Sequence, residues 1–366
     1  MTKKITYRQV GDNYDTKDPI KKIAQAFARQ TIIKDKSGFR EISDTRGESA
    51  FVFKQGQTLL ASVVEGLGTK NLVADEMRKI TGKSYYDVIG HDTVATIIND
   101  LITVGAKPRV VHAYWAVEDN SWLQDKKRLK DFIIGWRDAC KYSMATWGGG
   151  ETPTLKGIVE KGTVDLGGSA IGVISPKSRL ITDNKLKKGD RILLLKSNGI
   201  NCNGLSLARA VAKKLPKGYK TRLSNGKTYG ESLLTKTNIY AKLIQDLLGA
   251  KIDIHYISNI TGHGLRKIMR ARGKFTYILE KVFEPKEIFK FIQKQANLSD
   301  YEIYETLNMG QDYAIFLPKK DVKKTQAIVR KNGFSSIDAG YVKAGPCQVI
   351  IKPKNIVFKS GSLDLR

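Results

Sequence analysis

The sequence predicts a mixed α+β (α/β) protein of two domains, each built on strands that hand the chain to a glycine loop. Three observations carry this. With 366 residues and 41% hydrophobic side chains, the chain can fill two cores of ordinary size. An apolar run ending in Val63 and Val64 delivers Glu65 into a two-glycine turn closed by Thr69 and Lys70, and strand–glycine–helix order returns over 190–215. Helical periodicity over 86–104 and 126–142 is interleaved with runs rich in β-branched and aromatic residues.

In chain order, residues 1–50 read as a polar arm with one amphipathic helix over 15–29, its apolar positions being Ile20, Ile23, Ala24 and Phe27. Strands begin at Phe51 (AFVF), continue in TLLASVV and return in RVVHAYWAV. The helix over 86–104 stops at Gly105, with Pro108 beyond it. After the helix over 126–142 comes TWGGGETP, and a strand over 165–175 closes a first domain of residues 51–175. In a second domain, 176–353, DRILLLK is a buried strand, SNGINCNG a loop, and 205–215 a helix with Ala208, Val211 and Ala212 inward. Further helices are expected over 232–248, 289–296 and 320–332, a strand near His255, a glycine loop opening a helix over 259–273, and a tail over 354–366. The lysine and arginine positions Arg266, Lys267 and Arg270 read as a solvated basic face.

Composition removes several classes. No window reaches the roughly 18 uncharged apolar residues of a membrane span, and the first residues lack a signal-peptide core, so a cytoplasmic protein is expected. Cys140, Cys202 and Cys347 are far apart and form no CxxC pair, so neither a disulfide framework nor a zinc site is indicated. The net charge of +27 is spread along the whole chain without a recognition motif, which disfavours nucleic acid as the main partner and suits anionic small molecules. Thr81-Gly82-Lys83-Ser84 imitates the end of a Walker A loop, but Met77 stands where its first glycine belongs and no strand precedes it.

The chemistry-bearing residues suggest phosphate and metal. Gly66 and Gly68 let backbone N–H groups approach an anion, with Thr69 offering a hydroxyl and Lys70 a charge; an ordinary strand–turn would show the same letters. Glu65 beside such a turn calls for a cation, Mg²⁺ being the common one. On the helix over 86–104, Asp92 and Asn99 are seven apart and share a face, with Thr96 between them and Asp100 beside them. Either that row meets a metal–phosphate group, or Asp92 caps the helix and the others are solvated. Gly149 and Gly150 before Glu151 suit a backbone passing close to a ligand. With no catalytic serine or cysteine motif, the pattern suggests an ATP-using enzyme that positions phosphates while the substrate supplies the nucleophile.

Taken in order, these motifs resemble the aminoimidazole ribonucleotide synthetase (phosphoribosylformylglycinamidine cyclo-ligase) family over about residues 5–350. The family's DGVGTK is similar to Glu65-Gly66-Leu67-Gly68-Thr69-Lys70, and its GIDLVAMxVNDLxxxGAxP to the run from Gly90-His91-Asp92 through Asn99-Asp100 to Pro108. GGETAEMPG resembles Gly149-Gly150-Glu151-Thr152, SSGxHSNGYSLVR the run from Ser197 to Arg209, LLxPTxIYVK the run from Leu233 to Lys242, and EMYRTFNxGxG the run from Glu302 to Gly310. The opening TYxxxGVDIDAG is echoed by Thr6, Tyr7, Gly11 and Asp15.

The resemblance implies a two-domain synthetase fold, in which the first domain's mixed sheet pairs into a barrel across a homodimer and a mixed-sheet α/β domain stands behind it. It implies ATP and Mg²⁺ as cofactors and a phosphoribosyl substrate, formylglycinamidine ribonucleotide, whose amide oxygen is phosphorylated before its own nitrogen closes the ring. By position, it makes Glu65, Asp92 and Asp100 the metal residues; Gly66, Gly68, Thr69, Lys70, Asp92, Asn99, Gly149, Gly150 and Glu151 the ATP and phosphate residues; and Asn203, Gly204, Thr261, Gly262 and Asn308 the substrate residues. Several positions depart from the pattern: Glu65 replaces Asp, Asn201 and Asn259 replace His, and His263 replaces Gly. Proton-carrying candidates are then His263 and His255, with Asn201 at the position of a lost imidazole. Among relatives of the superfamily, selenophosphate synthetase is disfavoured because the arm has no cysteine, the hydrogenase-maturation branch because SLDLR lacks a terminal cysteine, and thiamine monophosphate kinase because it lacks the stretch near Asn308. A paralogue acting on another phosphorylated amide, or a basic binding protein without activity, are the alternatives.

Overall fold

The computed structural model describes residues 4–11, 13–33 and 36–363, with Tyr14 and Asp15 described by backbone alone. The Asp15 side chain, part of the echo of the family opening, thus lies outside the described residues, as do the last three residues of the expected tail.

The first half of the chain runs α1 (Tyr14–Ala28), β1 (Phe39–Glu41), β2 (Phe51–Gln55), β3 (Thr58–Gly66), α2 (Lys70–Thr81), α3 (Tyr86–Leu101), β4 (Lys107–Val117), α4 (Ser121–Gln124), α5 (Lys126–Tyr142), β5 (Thr146–Glu151) and β6 (Val164–Ile174). The strands form a six-stranded sheet in the order β1-β2-β3-β6-β4-β5, parallel only between β4 and β5. Period-2 alternation on β3 puts Leu59, Ala61 and Val63 into the core and turns Val64 outward. On the core side α3 lies across β3 and β6 and packs against α5. The two helices touch closely because each carries a glycine at the crossing: a Cβ on Gly90 would stand 2.3 Å from the Phe132 carbonyl oxygen, and one on Gly135 would stand 2.1 Å from that of Asp87. The other face of the sheet is uncovered in the single chain. Val64 is 79% exposed there, with Tyr114 and Ile171 partly so.

The second half runs β7 (Arg191–Lys196), α6 (Leu205–Lys214), α7 (Tyr229–Leu233), α8 (Ala241–Gly249), β8 (Tyr256–Asn259), β9 (Phe275–Leu279), α9 (Glu287–Ala296), α10 (Asp300–Tyr304), β10 (Gln311–Leu317), α11 (Val322–Lys331), β11 (Ser336–Ala344), β12 (Gln348–Ile351) and β13 (Ile356–Lys359). Its sheet has the order β13-β12-β9-β11-β7-β10-β8, and the central strands β7 and β10 are apolar on both faces. Residues 356–359, read from the sequence as tail, thus pair with β12 as an edge strand. Helix α1 forms where expected, yet Ile20, Ile23 and Phe27 face solvent in the single chain.

Two differences from the sequence reading have tertiary causes. The expected helix over 232–248 is split: a capping box between Thr228 and Glu231 starts α7 early, and the chain then runs non-helically before α8. Side chains of the first domain hold that intervening segment. Asp92 Oδ1 accepts from the Thr237 N–H at 2.8 Å, Asn99 Nδ2 donates to the Asn238 carbonyl at 2.8 Å, and the Tyr240 N–H donates to Asn99 Oδ1 at 3.2 Å. The second difference is the basic run after β8. It is a 3₁₀ turn over Gly264–Met269, and Arg266 and Lys267 are buried, so it is no solvated face. Arg270 is likewise engaged, donating to the Gly47 carbonyl and to Ser49 Oγ.

Candidate active site

A cavity of about 460 Å³ opens where the two halves meet. Strand β3 delivers Glu65 to its rim, and residues 66–69 line it before α2 begins. The last turns of α3 add Thr96, Asn99 and Asp100. The second domain contributes two loops: 201–204 ahead of α6, and 261–263 after β8 with Lys267 beyond. The arm closes the other side through Tyr7 and, from α1, Lys17 and Lys21.

Glu65 and Asp100 face one another with little solvent. Burial first, and the Asp100 charge second, push the Glu65 carboxyl up to about 8. Asp100 is braced by Asn259, whose Nδ2 donates to its Oδ1 at 2.7 Å. Lys267 also lines the cavity; burial, reinforced by Arg270, pulls its ammonium down to about 8, against the pull of Asp100 and Glu65. Carboxyl and amine thus sit near a common value, so this wall can hold or release a proton around neutrality.

Asn201 is held differently. Its backbone is in the left-handed region at φ 59°, and its Nδ2 donates at 2.8 Å to Asp312, a fully buried carboxylate that also accepts from Tyr240 Oη at 2.7 Å. The donation to a carboxylate fixes the amide's orientation and leaves Asn201 Oδ1 buried with no hydrogen-bond partner among the described residues. That oxygen has almost no accessible surface, so a ligand in the cavity does not reach it in this conformation. His263 lines the cavity as well. Its Nε2 lies 3.2 Å from Asp18, which would favour the imidazolium, but burial and the cations Lys267 and Arg266 outweigh it and pull the ring down to about 2. It is a neutral ring, suited to hydrogen bonding rather than to carrying protons at neutral pH.

Not every residue singled out from the sequence reaches this cavity. Lys70 and Asp92 lie beneath it, fully buried and paired at 2.5 Å, with Lys70 Nζ also donating to the Thr235 carbonyl at 2.9 Å. Gly149, Gly150 and Glu151 are exposed on β5 away from the cavity; a Cβ at Gly150 would stand 2.2 Å from the Ala113 carbonyl oxygen, so glycine there serves the β4–β5 contact. His255 is buried elsewhere, bridging Asp190 at 2.7 Å and Asp253 at 3.0 Å. Asn308 braces the 197–204 loop by donating to the Gly199 carbonyl at 3.0 Å. Conversely, Lys17, Lys21, Lys267, Cys202 and Tyr7 line the cavity unannounced. The i,i+4 spacing of Lys17 and Lys21 was visible, but lysines at that spacing look alike on any solvated helix.

Models of AIR synthase related proteins match this chain twice, the N-terminal domain over residues 47–174 and the C-terminal domain over 187–352. The chain belongs to the AIR synthase related family. Similar family members include the phosphoribosylformylglycinamidine cyclo-ligase of Methanococcus maripaludis, 31% identical over 340 residues that cover 93% of this chain and 92% of that protein. Those of Methanocaldococcus jannaschii (32% over 329 residues, 89% of each) and Carboxydothermus hydrogenoformans (33% over 301 residues, 81% and 84%) are alike. Solved structures share the family fold at low identity. A HypE–HypF complex aligns at TM-score 0.62 and 16% identity over 92% of this chain and 98% of that one, and AaThiL complexed with AMPPCP and TMP at 0.60 and 13% over 93% and 94%.

Proposed function

We propose that the protein is an ATP-dependent cyclo-ligase that closes formylglycinamidine ribonucleotide to aminoimidazole ribonucleotide in purine biosynthesis, working in the cytoplasm. The observation that carries this reading is the match along nearly the whole chain to enzymes of that name, joined to a cavity whose walls suit phosphorylated ligands. Gly66, Gly68 and Thr69 line the cavity without bulk at the glycines, and Lys17 and Lys21 add charge from the arm. Phosphoryl transfer to the amide oxygen makes it a leaving group, and the substrate's nitrogen then displaces phosphate. On this chain, Glu65 and Lys267 are the groups able to move a proton near neutrality.

Mg²⁺ fits this site. Glu65 and Asp100 are two carboxylates forced together, the arrangement a divalent cation relieves. Among the described residues no group of three acidic, His or Cys side chains could hold a metal alone. Two carboxylates completed by substrate phosphates and water is the usual Mg²⁺ arrangement, and the ion would supply neutralisation of the transferring phosphoryl charge. A homodimer through the uncovered face of the first sheet belongs to the same reading, since Val64, Tyr114 and Ile171 expose apolar surface there.

The test is direct. The purified protein is incubated with formylglycinamidine ribonucleotide, ATP and Mg²⁺, and ADP and the imidazole product are followed. Equimolar formation of both is expected; ATP binding with no ring product would favour a paralogue acting on another amide.

A further inference from the structure

A second cavity, of about 850 Å³, lies on the far side of α2 from the active site. Six cations line it against three carboxylates, and Asp125 behind the wall pairs with Arg78, which leaves a surplus of two positive charges in a space the size of a small-molecule pocket. Two of its acids are already answered from within: Glu76 pairs with Lys79 at 2.7 Å, and Asp75 accepts from Tyr86 Oη at 2.8 Å beside the Arg128 guanidinium. The third is Glu160. Lys161 and Lys213 stand exposed on opposite walls, in no ion pair among the described residues.

Arg128 makes this more than a charged dent. Its side chain is 11% exposed, its guanidinium lies 4.4 Å over the Trp122 ring, and Nη2 donates to the Trp122 carbonyl at 3.0 Å. Held in that orientation, its Nε is turned inward, 3.9 Å from the Asp125 carboxylate and out of reach of the cavity. The guanidinium therefore acts as a fixed positive charge in the wall, and the exposed lysines are the groups that can close on phosphate oxygens. Both domains build the cavity: α2, α5 and residues 160–163 from the first, Arg209, Lys213 and Tyr219 from the second. Tyr219 stacks on Tyr229 with centroids 6.3 Å apart and 15° between planes, presenting a fixed ring beside the cations.

We propose that this interdomain cavity is a binding site for an oligophosphate group, separate from the active site. Neither the family match nor the proposed reaction assigns these residues, and the proposal stands if the substrate assignment fails. A ligand that binds the folded chain only raises the melting temperature, with a stabilisation that grows with the logarithm of its concentration above the dissociation constant.

Inorganic pyrophosphate and ADP are titrated calorimetrically, in separate arms, into the full-length protein and into two double variants of equal charge change. Lys161→Glu with Lys213→Glu alters exposed side chains of the cavity; Lys320→Glu with Lys323→Glu alters exposed side chains far from it. Melting curves establish that both variants fold. The expected result is pyrophosphate binding that the cavity variant weakens at least about tenfold, as two lost charge contacts would do, and the remote variant less than about twofold. Tighter binding of ADP with the same variant dependence identifies a nucleotide as the source of the phosphates; equal or weaker ADP binding identifies the bare oligophosphate. Absence of pyrophosphate binding, equal losses in both variants, or binding unchanged in both overturns the proposal, the last because pyrophosphate would then occupy the active-site cavity.

Discussion

The Lys70 ammonium meets the Asp92 carboxylate at 2.5 Å, and neither side chain is exposed. Both look like ligand-binding residues in the sequence, and in the fold each is the other's counter-charge while Asp92 also docks the segment between α7 and α8. Breaking a buried pair strands a charge, at about 3–5 kcal/mol. Asp92→Asn and Lys70→Met should each destabilise by that order in urea unfolding, and the double Lys70→Met, Asp92→Leu variant should recover much of the loss. Single variants as stable as the parent would show that the pair does not hold the domains together.

Glu65 gives a pH signature. It keeps its proton up to about pH 8 in the folded chain but only to the ordinary carboxylate range when unfolded, so the folded state binds the extra proton. Stability should therefore fall as pH rises through that window, and Glu65→Gln should flatten the slope. Binding Mg²⁺ needs the carboxylate, so magnesium should bind more tightly at pH 8.5 than at pH 6.5, with proton release visible in buffers of different ionisation enthalpy. Identical slopes for parent and Glu65→Gln would remove Glu65 from the titration.

For His263 the sign is opposite. Its ring is pulled down to about 2, whereas the unfolded chain takes up a proton near 6.5. Stability is therefore lost as pH falls below about 6.5, and His263→Gln should lessen that loss. Because the ring stays neutral in the folded chain, the same variant should keep the shape of the pH–rate profile. Loss of a limb near neutrality would make His263 a proton carrier after all.

Asn201 lines the cavity, but its Nδ2 is spent on the buried Asp312 carboxylate at 2.8 Å. Removing that donor by Asn201→Ala should destabilise the chain by about 1–3 kcal/mol in urea unfolding, because a buried acceptor loses a partner. Stability equal to the parent's would show that Asp312 does not depend on this bond.

On the uncovered sheet face, Val64→Asp should shift a dimer to monomer in sedimentation velocity without lowering monomer stability, since Val64 is 79% exposed. A parent already monomeric at micromolar concentration would dismiss that interface.

The sequence by itself determined the order of the elements and the chemical types gathered at the site. Local rules suffice for that: alternation writes β3, Gly82 in the left-handed region ends α2 inside the false Walker A stretch, and the glycines at 66 and 68 mark the turn after Glu65. What only the tertiary structure decided is which polar groups spend themselves on the fold. Asp92, Asn99 and Asp100 share one helix, yet Asp92 and Asn99 bind backbone of the second domain while Asp100 faces the cavity beside Glu65. Lys267 reads as solvated and is buried. Such outcomes depend on partners more than a hundred residues away, because a buried polar group takes whichever donor or acceptor the packed chain brings to it, and no local pattern records that choice.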